Sequence, residues 1–128
     1  MPTPSAPTES TDAAVGADAK GPAASDPRAR LDAASATMID VVQGIDAEQY
    51  DLATPCDSMT VGELSEHVVM ALRRTACAGR DVPLHDWPID AADVATGEWA
   101  DALVAARTDS AMAWADDELL ERPTTLPW

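Results

Sequence analysis

Phenylalanine is absent from this 128-residue chain, and tyrosine and lysine each occur once. Without aromatic bulk, and with few β-branched residues beside its alanines, the composition argues against a β-sandwich or barrel and for close-packed helices. Cysteine occurs only at positions 56 and 77, which provides neither a disulfide framework nor a four-cysteine zinc site. Both are expected to be reduced thiols. Basic residues are scarce as well, eight against 23 acidic, for a formal charge of −15. Such a charge repels phosphate backbones and anionic lipid surfaces, so nucleic-acid and membrane-surface roles fall away. No stretch approaches the roughly 18 apolar residues of a membrane span, and the N-terminus has no basic region followed by an apolar run. A cytoplasmic location is the expectation.

What remains fits one domain. Hydrophobic residues make up 46% of the chain, but 26 of those 59 are alanine, which leaves 33 larger apolar side chains to build a thin core. Residues 1–25 hold Pro2, Pro4, Pro7 and Pro22 among small and polar residues, with Val15 the only sizeable apolar side chain after Met1. They read as a disordered tail, since they cannot bury enough surface to offset their ordering entropy. The folding unit is then 26–128.

Three helices are legible in that unit. Asp26 as N-cap and Pro27 at the first helical position open a helix over about 27–47, with Leu31, Ala34, Met38, Val41, Val42 and Ile45 as its apolar stripe. Thr60-Val61-Gly62-Glu63 has capping-box spacing and opens a second helix over 61–78, with Val61, Leu64, Val68, Ala71 and Leu72 inward and Gly79 as its stop. Residues 79–90 carry two prolines and no periodicity, and predict a loop with one short turn. A third helix starts between 90 and 98 and runs to about 117, its face marked by Trp99, Leu103, Ala106, Ser110, Ala113 and Trp114. The ending ERPTTLPW predicts an extended segment.

Few residues are placed to do chemistry. His67 falls on or beside the inward stripe of the second helix, either as a core-rim histidine held by a neighbouring acceptor or as a metal ligand or general base. Glu63, one turn away, could support it, although Glu63 also has a capping role; Glu66 reads as part of the solvated face. His85, in His85-Asp86-Trp87-Pro88, reads as a loop-packing residue. Cys56 precedes the second helix near the positive end of its dipole, which favours the thiolate, but no base partner is marked in sequence.

The run Thr54-Pro55-Cys56-Asp57-Ser58-Met59-Thr60-Val61-Gly62-Glu63-Leu64-Ser65-Glu66-His67-Val68-Val69 resembles the signature of the actinobacterial mycothiol-dependent maleylpyruvate isomerase family, in its N-terminal metal-binding domain. Arg122-Pro123-Thr124-Thr125-Leu126-Pro127-Trp128 resembles the segment that joins the third helix to the fourth in the same family, so the likeness spans about 28–128. It implies an all-α, DinB-like, up-and-down bundle of four helices holding a divalent metal, usually zinc. One histidine on the second helix and two on the fourth would bind that metal, and His67 falls on the first of these positions. The implied chemistry is thiol-assisted cis–trans isomerisation of an unsaturated organic acid, with mycothiol as the thiol.

Two departures shape what is expected here. Met59 stands where the family has tryptophan, and the sequence reaches Trp128 where the fourth helix would begin, so His67 would be the single ligand of an incomplete site. Three helices of a four-helix plan would also expose an apolar groove, with Leu64, Val68, Leu103 and Trp114 as its expected lining. The competing expectation is a non-catalytic helical interaction module that uses this groove to bind a partner or to form a homodimer.

Overall fold

The computed structural model describes residues 26–126. The expected tail, 1–25, and the end of the expected extended segment, 127–128, lie outside the described residues. Within them are three α-helices, three short 3-10 turns and no strand.

Helix α1, Pro27–Gln43, begins as its sequence predicts: the Asp26 carboxylate accepts from the Arg28 backbone N–H at 2.9 Å, with Pro27 in the first turn. It ends four residues earlier than expected. Gly44 closes it by donating to the Asp40 and Val41 carbonyls, and a separate turn, Ala47–Gln49, starts where the Gln49 side chain accepts from the Asp46 N–H. The inward stripe is also rotated. Ser35, Ile39 and Val42 are buried with Leu31 packed beside them, whereas Val41 is 58% exposed. The stripe was hard to see because Ser35 interrupts it as a polar letter; its hydroxyl donates to the Leu31 carbonyl at 2.7 Å, which removes the cost of burying it.

Helix α2, Val61–Gly79, has the predicted capping box. The Glu63 carboxylate accepts from the Thr60 N–H at 2.7 Å, and the Glu63 N–H donates to the Thr60 hydroxyl at 3.3 Å. Its buried face is Ser65, Val69, Leu72 and Ala76, one position round from the expected Leu64, Val68 and Ala71. Gly79 is the last helical residue and serves close packing: a Cβ there would lie 2.9 Å from the Ala113 carbonyl oxygen. The left-handed residue that follows the helix is Asp81, with φ 56°.

Helix α3, Trp99–Ala113, buries Trp99, Leu103, Ala106, Ser110 and Ala113, five of the six residues of the predicted face; the sixth, Trp114, is half-buried just past the helix end. It stops short of 117 because Trp114 turns away and its indole N–H donates to the Thr75 carbonyl at 2.7 Å. A 3-10 turn, Asp117–Glu121, follows, capped where the Asp116 carboxylate accepts from the Glu118 N–H; it takes in only the first residue of the segment read as extended, and 123–126 carry neither helix nor turn, as that reading expects.

Contacts along the helices fix their directions. Gly62 meets Trp99, Thr75 meets Ser110 and Gly79 meets Ala113, so α2 and α3 run parallel. Arg28 reaches the Trp114 carbonyl and Arg107 pairs with Asp32, so α1 and α3 run antiparallel. The expected up-and-down order therefore fails between α2 and α3. Residues 80–98 form a crossover long enough to return the chain to the start of α2. It lies along α2, where Arg74 donates to the Pro88 carbonyl, the Ala91 N–H donates to Glu66 and Arg73 pairs with Asp93. Trp87 and Ala91 of the crossover are buried. The core is the set Ile39, Val42, Val69, Leu72, Trp99, Leu103 and their neighbours, with α3 as the element on which both other helices pack.

Candidate functional site: an open groove between two helices

Because α1 and α2 pack mainly on α3, an open groove of about 690 Å³ remains between them. One wall is the first two turns of α1, with Leu31; the other is α2 from His67 to Ala78, with Met70 and Arg74. Trp87 and Trp114 contribute aromatic surface, and Leu119, Leu120 and Arg122 come from the C-terminal turn. The sequence predicts such a groove but misplaces its lining. Of the four expected residues only Trp114 lines it: Leu103 is 1% exposed on the inward face of α3, Val68 packs against the core and Leu64 is half-buried. Leu119 and Leu120 fall between the expected end of the third helix, about 117, and the extended segment from 121, where no periodicity marks an element, although Asp116 three residues before Leu119 is a turn-starting signal.

His67 stands exposed on the α2 wall, at the junction of the groove with a shallow polar depression that Glu63, Glu66 and Asp90 share. Two nearby carboxylates have other duties. Glu63 is held in the capping box, where hydrogen bonds from the Thr60 N–H and hydroxyl lower its pKa below the ordinary carboxylate value, and Glu66 accepts from the Ala91 N–H at 3.3 Å. His85 lies exposed in the turn Leu84–Asp86, beside Asp86, and does not line the groove. Cys56 is exposed in the loop before α2, and its N–H donates to the Thr54 hydroxyl; half-buried Cys77 has its thiol pKa raised by burial. Neither cysteine lines the groove.

The described residues do not fit a metal of the implied kind. No group of three or more His, Cys, Asp or Glu side chains among them is arranged to hold an ion, so His67 does not belong to a three-ligand set there.

Two of the three arginines that line the groove differ in their partners from four other arginines of the chain. Arg73, Arg80 and Arg107 are fixed by Asp93, Asp109 and Asp32, and each of these aspartates has its pKa lowered chiefly by the arginine hydrogen bond. Arg28 is shared between Asp26 and Asp117, which raises its pKa. Arg74 and Arg122 differ: among the described residues they donate to backbone carbonyls, Pro88 for Arg74 and Ala78 and Gly79 for Arg122. The Arg122 Nε is buried with no hydrogen-bond partner.

No protein-family model, curated protein or solved structure matches this chain at a significant level. In an acidic chain, the described residues form a three-helix unit with a large open apolar concavity.

Proposed function

We propose that this chain is a helical interaction module whose groove receives an amphipathic helix from a partner. The observation that carries the reading is the open space between α1 and α2, walled by Leu31, Met70, Trp114 and Leu120. Helices pack at axis separations of about 8–10 Å by setting ridges into grooves, and a fourth helix laid there would cover apolar surface that three helices leave wet. Recognition by an amphipathic helix in an apolar groove needs a stripe of anchors at three- and four-residue spacing on the incoming helix.

We also propose, on the resemblance of segments 54–69 and 122–128 alone, a distant relationship to the maleylpyruvate isomerase-like metal-binding domains. His67 would then mark the position of an ancestral ligand. No metal- or thiol-dependent step is assigned to the residues described.

The test uses a displayed library of amphipathic helices about 18 residues long, or about five turns. Helices selected on the full chain should lose binding to Ala71→Trp, a substitution at an exposed groove position, while its circular dichroism stays unchanged. Failure to select any helix, or helices indifferent to Ala71→Trp, would overturn the reading.

A further inference from the structure

We infer that the helix received by this groove carries a carboxylate on its apolar face, and that Arg74 and Arg122 bind it. The inference rests on the groove being a helix receptor and specifies the partner's chemistry.

Arg74 and Arg122 line the same concavity, and in a chain with 23 carboxylates neither forms an ion pair with any described residue. Four other arginines of the chain are paired with aspartates. Both are tied to the second half of α2, Arg74 as a residue of it and Arg122 through its carbonyls. Arg122 holds the Ala78 carbonyl at 2.8 Å, and Ala78 is one helical turn on from Arg74, where residues four apart are roughly 6 Å from one another. Backbone carbonyls fix each guanidinium but do not neutralise it. Pro88 occupies only the Nε of Arg74, leaving its two terminal nitrogens for a ligand, and the Arg122 Nε is a buried donor without an acceptor. The Arg122 Nε is enclosed and only its charge reaches the groove, whereas the Arg74 terminal nitrogens are donors; a guanidinium without a carboxylate partner beside apolar surface favours an occupant that brings one. A carboxylate matches the fork of a guanidinium better than any neutral acceptor.

The net charge narrows the occupant further. A second copy of this chain also carries −15 and is repelled at low ionic strength, as is any helix acidic all round. The occupant that satisfies both constraints is a helix from a different protein, with one or two Asp or Glu residues within its apolar stripe and a neutral or basic outer face.

The helix selection decides this when every stripe position is randomised among Leu, Ala, Met, Gln, Glu and Lys. Selected helices should retain Glu at one or two stripe positions. Replacing that Glu by Gln should weaken binding about tenfold to a hundredfold, as should Arg74→Gln or Arg122→Gln in the chain. The Gln helix should in turn be nearly indifferent to either arginine substitution. Circular dichroism and urea midpoints separate loss of binding from loss of fold. Binders without acidic stripe residues, or binders unaffected by both arginine substitutions, would overturn the inference while leaving the groove reading intact. Absence of any binder would remove the groove reading and the inference with it. Saturable quenching of tryptophan emission by dodecanoate, dependent on Arg74 and with no helix bound, would assign the arginines to a small acid instead and overturn the helix.

Discussion

Gly79→Ala should destabilise this domain although it adds a better helix former. At Gly79 an added Cβ would sit 2.9 Å from the Ala113 carbonyl oxygen, 3.0 Å from the Ala113 Cβ and 3.0 Å from the Trp114 Nε1. These atoms cannot give easily. The Trp114 indole is tied to the Thr75 carbonyl, and Arg122 holds the Ala78 and Gly79 carbonyls from the other side. Relief requires the last turns of α2 and α3 to separate by a few tenths of an ångström, and overpacking of this kind costs about 1–3 kcal/mol. The gain in helix propensity is at most about 1 kcal/mol and smaller at a terminal residue. The net effect is a loss of about 1–2 kcal/mol, which for a domain near 100 residues lowers the Tm by about 4–8 °C per kcal/mol. Gly44→Ala is the internal control. Its Cβ would meet only the Val41 and Asp40 carbonyls, at 3.4 and 3.6 Å, and Gly44 has φ −82°, so alanine fits without strain and should be neutral or stabilising by about 0.4–1 kcal/mol. Urea titrations followed by circular dichroism, with unchanged m-values, give both numbers. Gly79→Ala as stable as the parent, or less damaging than Gly44→Ala, would refute the close approach of α2 and α3.

Leu103→Ala removes a side chain that is 1% exposed at the centre of the core and should cost about 2–5 kcal/mol by the same titration, a large share of the 5–15 kcal/mol available to a small domain. Asp32→Asn breaks the exposed pair with Arg107 and should cost under about 1 kcal/mol, diminishing further in salt. The folded pKa of Glu63 lies below its ordinary value of 4.5, so its contribution is fully present above that pH and is lost as pH falls through the lower folded value. Glu63→Gln should therefore flatten the acid limb of a stability–pH profile below about 4.5 while leaving its neutral limb parallel to the parent's. His67→Ala should leave the Tm unchanged, since the side chain is exposed, and micromolar zinc should raise the Tm of neither protein; a zinc-dependent rise abolished by the substitution would show that further ligands exist.

The parts of the fold legible in sequence are those fixed by local chemistry. Asp26-Pro27 and the Thr60–Glu63 box announce helix starts because one side chain satisfies one backbone donor a fixed number of residues away. The α3 face was readable because Trp99, Leu103 and Ala106 are unbroken apolar letters at the right steps. The faces of α1 and α2 were misread where Ser35 and Ser65, buried with their hydroxyls returned to the carbonyls of Leu31 and Val61, stand where a purely apolar pattern is sought. The parallel run of α2 and α3 depends on a crossover held by Arg74, Glu66 and Arg73, contacts between residues 14 to 25 positions apart that no periodicity reveals. The groove was anticipated from the count of helices. Its two arginines were not, because what distinguishes Arg74 and Arg122 is the lack of an acidic partner among the described residues, which only three-dimensional neighbours disclose.

The most direct test of the central claim is chemical-shift mapping of the full chain titrated with a selected helix. The account predicts shifts in the methyl groups of Leu31, Met70 and Leu120 and in the side-chain N–H signals of Trp114, Arg74 and Arg122, all on the groove. Shifts gathered instead on exposed Val104 and Met112 of α3, with the groove signals unmoved, would contradict it.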